Sequence, residues 1–472
     1  MLWHGLCVRP NGSIGRVSGK DTHMQLNRRL MMSAGLGGLG LPAAAAAARG
    51  ETGPKAGRAK APDLGIVPDS GRDETDRLQA AIDRAAERRV ELLLPAGRYI
   101  MRSLTLRPGS RIAGVAGATV LDQTGGSAAA ISGRDLDHVS VEGLTVRGAL
   151  ALGPGVKGLI ELEQVASLHL AAVIVERGPV NGIALTGCAG IVTGCHITGA
   201  AKAGLFSLDA GGLEITHNIV ADCGNNGILV WRSAKGEDGT RVAMNRIERI
   251  GARDGGTGQN GNAINIFRAG NVLVTSNRIA DCAFSGVRGN SAADVQILAN
   301  NVSRMGEVAL YAEFAFDGAV IAGNMIDGAG TGISVTNFNE GGRLAVVQGN
   351  VVRNLVQRRE DRERSGVGIA VEADTAITGN VIENAPTAGL LIGWGRFARD
   401  VAATGNVIRS CGIGIAITGD TKAGAVLAAS NMISGVSRGA IRAMDHGRPI
   451  GADLAPPTDA GGRIRVTGNV VA

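Results

Sequence analysis

The sequence predicts an all-β fold, a right-handed parallel β-helix with a short helix capping its N-terminal end. Two short motifs recur along the chain, and each repeat carries one copy of each. Only 3% of the residues are aromatic, which suits a thin core of Ile, Val, Leu and Ala. Because a solenoid adds a slice of core with every repeat, 472 residues are compatible with one domain.

The first motif is a small residue followed by Asn, with Ile or Val one or two positions later. Cys195 occupies the same slot one repeat before the first copy. Asn tolerates left-handed backbone better than other non-glycine residues, and stacked amides can hydrogen-bond between coils. We therefore expect these side chains to stabilise the scaffold and not to act in function. The asparagines are Asn218, Asn245, Asn277, Asn300, Asn324, Asn350, Asn380, Asn406, Asn431 and Asn469.

The second motif is Gly or Ala followed by alternating apolar residues, as in Gly227-Ile228 and Gly414-Ile415. Alternation with a period of two indicates strands, and the regular breaks indicate a chain that returns to the same position in every coil. Neighbouring coils should therefore pair as parallel strands about 4.8 Å apart.

An amphipathic helix is predicted over residues 74–88, with Asp73 as its N-cap. Leu78, Ile82 and Ala85 lie on one face of it and should cover the open end of the apolar column. This segment, with Leu94-Pro-Ala-Gly-Arg-Tyr99 and Ser103-Leu-Thr-Leu106 after it, resembles the N-terminal part of the pectate-lyase-like superfamily. Residues 24–472 as a whole resemble an uncharacterised group of β-helix repeat proteins exported by the twin-arginine route. The resemblance implies the fold and export.

Residues 24–48 resemble a twin-arginine signal peptide, because Arg28-Arg29 precede a Gly- and Ala-rich stretch ending in small residues. A transmembrane anchor is the alternative, but few leucines are present, so no stable membrane span is expected. Residues 1–23 are interpreted as a misassigned start or an unstructured leader. We expect a linker over 49–62 and a single domain over 63–472, divided into a capping segment, 63–115, and coils, 116–472. The expected location is the periplasm or the exterior, reached through the twin-arginine export machinery.

The formal charge of +6 does not indicate a nucleic-acid partner. Residues 1–48 hold five basic side chains and one acidic one, so only two positive charges remain for the rest. The cysteines have no zinc-site spacing and are expected to be reduced and buried. No metal site or cofactor is indicated; a calcium ion is compatible with the fold, but no pattern points to one.

Most of the aromatic residues follow the second motif, where alternation places side chains outward on one sheet. Aromatic rings among Arg, Asn and Glu suit a sugar chain, and arginines favour an acidic one because guanidinium pairs with carboxylate. The alternative is that loops fold over this sheet and the rings pack beneath them. The predicted substrate-binding residues are Phe206, Trp231, Arg232, Asn265, Phe267, Arg268, Asn290, Glu372, Trp394 and Arg396.

Arg288, Tyr311 and Glu313 fall on adjacent coils of that sheet and are the predicted catalytic residues. A lyase needs a base near the carboxylate-bearing sugar carbon, and Arg or Tyr could serve if its pKa were lowered. Hydrolysis by Glu313 and Glu372 is the second possibility, at roughly 10 Å by strand spacing. The favoured function is lyase-like action on an acidic polysaccharide; the alternative is a non-catalytic glycan-binding or structural solenoid of the cell envelope.

Three insertions interrupt the repeats, at 233–241, 251–261 and 357–365. The first two are Gly-rich, adjoin the predicted sheet and could wall a binding site. The third is dense in both charge signs and is interpreted as a solvated loop.

Overall fold

A computed structural model describes residues 57–148, 151–256, 258–336, 341–456 and 462–472. The predicted leader, the predicted signal peptide and the first part of the predicted linker lie outside these residues. The described residues belong to one structural unit, Lys55–Ala472.

The chain winds through three faces of strands in every coil, and we name them in chain order from the second motif. The first face consists of Leu104–Thr105, Ile131–Glu142, Gly158–Ala171, Asn181–Thr186, Ala203–Leu208, Asn226–Glu237, Asn262–Gly270, Val287–Asn290, Val308–Glu313, Thr331–Thr336, Val367–Val371, Ala388–Ile392, Ile413–Thr418 and Ile441–Asp445. Two of these strands, Ile131–Glu142 and Gly158–Ala171, run on into the second face.

The second face follows each first-face strand and precedes the Asn motif. Its strands are Arg58–Lys60, Glu91–Leu93, Arg111–Ala113, Gly190–Thr193, Leu213–Thr216, Arg241–Ala243, Leu273–Thr275, Ala293–Leu298, Asp317–Ala322, Arg343–Gln348, Ala373–Thr378, Arg399–Thr404, Val426–Ala429 and Ile464–Thr467. The third face follows the Asn motif. Its strands are Gly97–Met101, Thr119–Gln123, Thr145–Arg147, Ile174–Glu176, His196–Thr198, Ile219–Ala221, Arg246–Ile250, Arg278–Cys282, Asn301–Met305, Met325–Asp327, Val351–Arg353, Val381–Glu383, Val407–Arg409, Met432–Ser434 and Val470–Val471.

Strands of successive coils pair in parallel, as in Ile228 opposite Ile264 and then Val287. In the described part of the chain, the one antiparallel strand pair is the hairpin of Ile441–Asp445 with Arg448–Asp453. The fold class, a right-handed parallel β-helix, is confirmed.

The core is a column of inward side chains stacked on their equivalents one coil away, as predicted by the alternation. Ile228, Ile264 and Val287 are fully buried on the first face. The five cysteines among the described residues are buried and free. Burial raises the pKa of the Cys223 and Cys282 thiols to about 12, so they remain protonated and act as small apolar residues.

The asparagines of the first motif form an unbroken hydrogen-bonded ladder from Asn218 to Asn469. At each step the Oδ1 of one Asn accepts from the backbone N–H and the Nδ2 of the Asn in the previous coil, as Asn300 Oδ1 does from Asn277 at 3.0 Å each. Cys195 begins the ladder by donating its backbone N–H to Asn218 Oδ1 at 2.8 Å. The predicted structural role of the stacked amides is confirmed.

The helix spans Thr75–Glu87. The Asp73 carboxylate caps it by accepting from the Thr75 N–H at 2.9 Å, although Glu74 holds the N-cap position. Leu78 and Ile82 are buried against the first strands of the second face. Two short 3₁₀ turns, Ala61–Leu64 and Arg359–Asp361, complete the described helical segments. The strand Arg58–Lys60 lies within the segment 49–62 that the sequence assigned to a linker.

Candidate functional site

Two columns of outward side chains run along the first face in the predicted register. Parallel pairing aligns Phe206, Leu229, Asn265, Arg288, Tyr311 and Ser334 on successive coils. It aligns Leu208, Trp231, Phe267, Asn290, Glu313 and Thr336 in the second column. The face has a ring-bearing N-terminal part and a pocket toward its C-terminal end.

Three rings on successive coils form an aromatic ladder, which we define as Phe206, Trp231 and Phe267. The centroids of Phe206 and Trp231 are 5.6 Å apart, and those of Trp231 and Phe267 are 5.7 Å apart, both edge to face. All three side chains are partly exposed. The ladder therefore presents a continuous apolar strip along the rod.

Polar groups fix the ladder in place. The Trp231 indole N–H donates to Asn265 Oδ1 at 3.3 Å, and the Arg268 guanidinium lies over the Phe267 ring at 4.7 Å. Arg268 also donates to the Ser233 carbonyl. Arg232 turns back toward the scaffold, donating to the Ala210 carbonyl at 3.2 Å. The Arg268 guanidinium thus lies beside the aromatic strip as a cation, whereas the Arg232 guanidinium bonds the backbone of the scaffold.

Arg288 and Glu313 form a buried ion pair, with 7% and 1% of their residue surfaces exposed. Arg288 Nε donates to Glu313 Oε1 at 2.5 Å, and Asn290 Nδ2 donates to the same oxygen at 3.1 Å. The insertion 251–261 covers the pair, because a Cβ at Gly258 would collide with the Arg288 guanidinium. Two of the three predicted catalytic side chains therefore lie at outward positions but are covered.

Tyr311 lies between this pair and the pocket, which it lines. Its ring sits under the Arg288 guanidinium at 5.4 Å, and its hydroxyl hydrogen-bonds with Thr336 and Glu313. Burial, reinforced by the Glu313 charge, raises the pKa of Tyr311. The phenol therefore stays protonated at neutral pH, so it can donate a hydrogen bond but cannot act as a base.

The pocket has a volume of about 340 Å³, within the range of ligand sites. The first-face residues Tyr311, Ser334 and Leu391 contribute to its lining, and Glu372 and Trp394 follow the strand ends. Two predicted binding residues, Glu372 and Trp394, are therefore brought together here. Arg396 is exposed nearby and stacks on Phe397, another lining residue, at 5.2 Å.

Glu307 is a pocket residue that the sequence analysis missed. Burial raises the pKa of its carboxyl, and the negative charges of Glu313 and Asp361 raise it further. The positive charges of Arg288 and Arg358 lower this pKa but do not offset the effect of burial. The Oε2 of Glu307 is buried and has no hydrogen-bond partner among the described residues, and Arg358 Nη1 lies 3.8 Å from its Oε1. Glu307 precedes the alternating strand, in a turn position whose equivalents in the adjacent coils are Phe284 and Gly330. A carboxylate at a step that is uncharged in both adjacent coils was the available signal.

The insertion 357–365 differs from its prediction as a freely solvated loop. Residues 359–364 are exposed, but Arg358, Asp361, Arg364 and Ser365 also line the pocket. The Arg364 guanidinium lies over the Trp394 ring at 4.6 Å. The charged side chains that suggested a solvated loop instead form part of a pocket wall. A run of mixed charges in the sequence does not distinguish these two roles.

The insertion 233–241 also differs in part, because residues 233–237 continue the strand Asn226–Glu237. A bulge between Trp231 and Gly236 restores its pairing with Asn262–Gly270. Lys235 extends along the rod and donates to the Ala315 carbonyl at 2.8 Å.

Within the described ranges, no group of three or more His, Cys, Asp or Glu side chains is arranged to hold a metal ion. In the same part of the chain, no helix has the length and hydropathy needed to cross a bilayer.

The family model described as "Right handed beta helix region" matches residues 181–352 and, overlapping with these, 234–408. A search of curated proteins finds no match. The pre-mature gene product 12 of bacteriophage phi29 is 12% identical, with a TM-score of 0.52, covering 85% of this chain and 57% of that one. This chain thus spans little more than half of the phage protein.

Two further solved structures are similar in fold. The A-module of mannuronan C-5 epimerase AlgE4 from Azotobacter vinelandii is 18% identical, with a TM-score of 0.40, covering 67% of this chain and 96% of that one. The catalytic unit of a GH87 alpha-1,3-glucanase from Streptomyces thermodiastaticus is 16% identical, with a TM-score of 0.45, covering 89% and 69%. At these identities the similarity concerns the fold.

Proposed function

We propose that this protein binds a polysaccharide along its first face, and that the polymer is acidic. The single observation that supports this most strongly is the aromatic ladder, three partly exposed rings on successive coils that contact each other edge to face. Aromatic rings on successive coils stack on the apolar faces of sugar units, and this stacking aligns the bound sugar chain with the axis of the β-helix. Export by the twin-arginine route to the periplasm or the exterior is part of the same proposal, since such polymers lie there.

The acidic preference rests on the cations beside the rings. Arg268 stacks on Phe267 and Arg396 on Phe397, so both guanidinium groups lie at the ring-bearing surface. Guanidinium pairs with carboxylate in a bidentate geometry, which a neutral sugar cannot offer. A polyuronate is therefore the substrate class that we expect.

Trp231→Ala tests the binding face. We expect about tenfold weaker binding of a polyuronate such as alginate or pectate, measured by isothermal titration calorimetry, because the central ring of the ladder is lost. Met244→Ala, an exposed apolar residue away from the first face, is the matched control and should bind as the unmodified protein does. Equal affinity of the two variants, or no binding of any polyuronate by the unmodified protein, would refute the proposal.

Turnover is a second candidate, and the pocket favours hydrolysis over elimination. The lyase-like interpretation needs a base, but Tyr311 is held protonated and Arg288 is buried beneath an insertion. Glu307 and Asp361 both line the pocket, and the Asp361 charge helps to raise the pKa of Glu307. A carboxyl with a raised pKa and a second carboxylate in the same pocket are the two groups that a general acid with its base requires.

Glu307→Gln tests turnover, because the amide keeps the shape of the side chain but cannot donate the proton. The unmodified protein should release new reducing ends from its polymer, and the variant should lose at least a hundredfold of that rate. Its affinity for the polymer should remain within a few-fold of the original value. Release of unsaturated ends would favour elimination instead, and no product of either kind would leave the non-catalytic binding solenoid as the function.

A further inference from the structure

The outward surface of the first face is covered beyond the pocket. The column of Tyr311 and Ser334 continues by register through Ala370, Leu391 and Ala416. These last side chains point away from the solenoid core, yet Leu391 is 8% exposed and Ala416 only 1%. With Val367, Ala388, Ile413 and Met444 they form a second apolar cluster, separate from the main core.

Two segments form this cover, which we call the roof: the insertion 357–365 and the hairpin of Ile441–Asp445 with Arg448–Asp453. They meet above the face, where a Cβ added at Gly447 would lie 2.6 Å from Glu363 Cδ. The His446 ring packs edge to face on Trp394 with centroids 5.4 Å apart. The roof therefore rests on the same tryptophan that lines the pocket.

Little space remains under the roof. The cavity lined by Glu363, Leu391, Met444 and His446 has a volume of about 10 Å³, roughly what one water molecule requires. A sugar chain cannot pass through it. The roof thus closes the first face toward its C-terminal end, and the pocket of about 340 Å³ lies directly before the closure.

We propose that the pocket binds a terminal sugar unit, so that the protein recognises the end of an acidic polysaccharide chain. This rests on the proposed binding function: a sugar unit that enters the pocket has to be the last of its chain, because the roof blocks continuation toward the C-terminal coils. Trp394 and Phe397 supply ring surface for the terminal unit, and Arg358 and Arg364 supply cations for its carboxylate.

Binding stoichiometry tests the proposal. Polyuronate oligosaccharides of increasing length are titrated into the full chain, and the number of protein molecules bound per oligosaccharide is measured by calorimetry. An end-binding protein should bind one molecule per chain at every length. A number that rises with length would overturn chain-end recognition while leaving the proposed binding function intact, whereas a complete lack of binding would overturn the binding function itself.

A second experiment tests chain-end recognition with oligosaccharides that are blocked at one end. A bulky fluorophore on one of the two ends should weaken binding at least tenfold, and blocking the other end should not. Replacing residues 359–364 by a short Gly-Ser linker should open the roof, so that the variant binds the blocked and the free forms equally, although the loss of Arg364 weakens both. His446→Ala keeps Arg364 and should reduce the difference between the two forms in part. If both blocked forms bind the unmodified protein as tightly as the free oligosaccharide, or if the folded linker variant still binds the free form at least tenfold more tightly than the blocked form, the proposal is wrong.

Discussion

At the scale of single residues, the buried asparagines satisfy each other's hydrogen-bonding groups from coil to coil. Asn300 is 2% exposed. Its Oδ1 accepts twice from Asn277, and its Nδ2 donates to the Val274 carbonyl at 3.1 Å and to Asn324 Oδ1 at 3.1 Å. A buried amide whose groups are all hydrogen-bonded stabilises the turn. Removing it leaves its hydrogen-bond partners buried, with no water to replace the lost bonds.

Asn300→Ala should lower the free energy of unfolding by about 2–4 kcal/mol, because buried donors and an acceptor lose their partner. Asn301→Ala is a matched control: the neighbouring side chain is exposed, and its loss should change stability by less than about 0.5 kcal/mol. Denaturant unfolding followed by circular dichroism measures both. Similar losses in the two variants would contradict a special role for the ladder.

The sequence predicts the roles of some individual residues and misses others. Asn300 and its equivalents were predicted because a ladder needs the same residue at the same step of every coil. Phe206, Trp231 and Phe267 were predicted to face outward, Phe206 in one column and the other two in the second, because strand alternation sets which side chains leave the core. Glu307 was missed because it sits in a turn before the strand, where a period of two gives no information about burial.

At the scale of elements, the insertions decide which outward residues reach solvent. Arg288 and Glu313 lie at outward positions, as the alternation predicts, but insertion 251–261 buries them. The contacts of an insertion depend on coils that are distant in sequence, as when Lys235 bonds the carbonyl of Ala315. Repeat patterns therefore predict the strands well, and they leave undetermined which part of a face remains open.

The burial of Arg288 and Glu313 also assigns them a role. Breaking one partner of a buried pair leaves an uncompensated charge, which commonly costs several kcal/mol. Tyr311 is bonded to this pair and lines the pocket, so the pair orients a pocket residue from behind. We therefore interpret Arg288 and Glu313 as positioning residues and Glu307 as the group that can exchange protons with a ligand.

At the scale of the whole molecule, stability is distributed along the rod, because each coil contacts mainly its neighbours. The ends are then the weak points, and the N-terminal end is closed by the helix Thr75–Glu87. Leu78, which is fully buried, packs this helix onto the first strands. A change there removes packing from one end of the column and leaves the middle coils untouched.

Leu78→Ala should therefore destabilise the rod locally, by about 2–5 kcal/mol at the capped end. Hydrogen exchange should accelerate over the first coils, up to about residue 148, while the coils around the pocket keep their protection, because local opening does not require distant coils to unfold. Arg84→Ala, on the exposed side of the same helix, should leave both regions protected. Loss of protection throughout the chain in Leu78→Ala would mean that the solenoid unfolds as one cooperative unit; the pocket's stability would then depend on the cap despite the many coils between them.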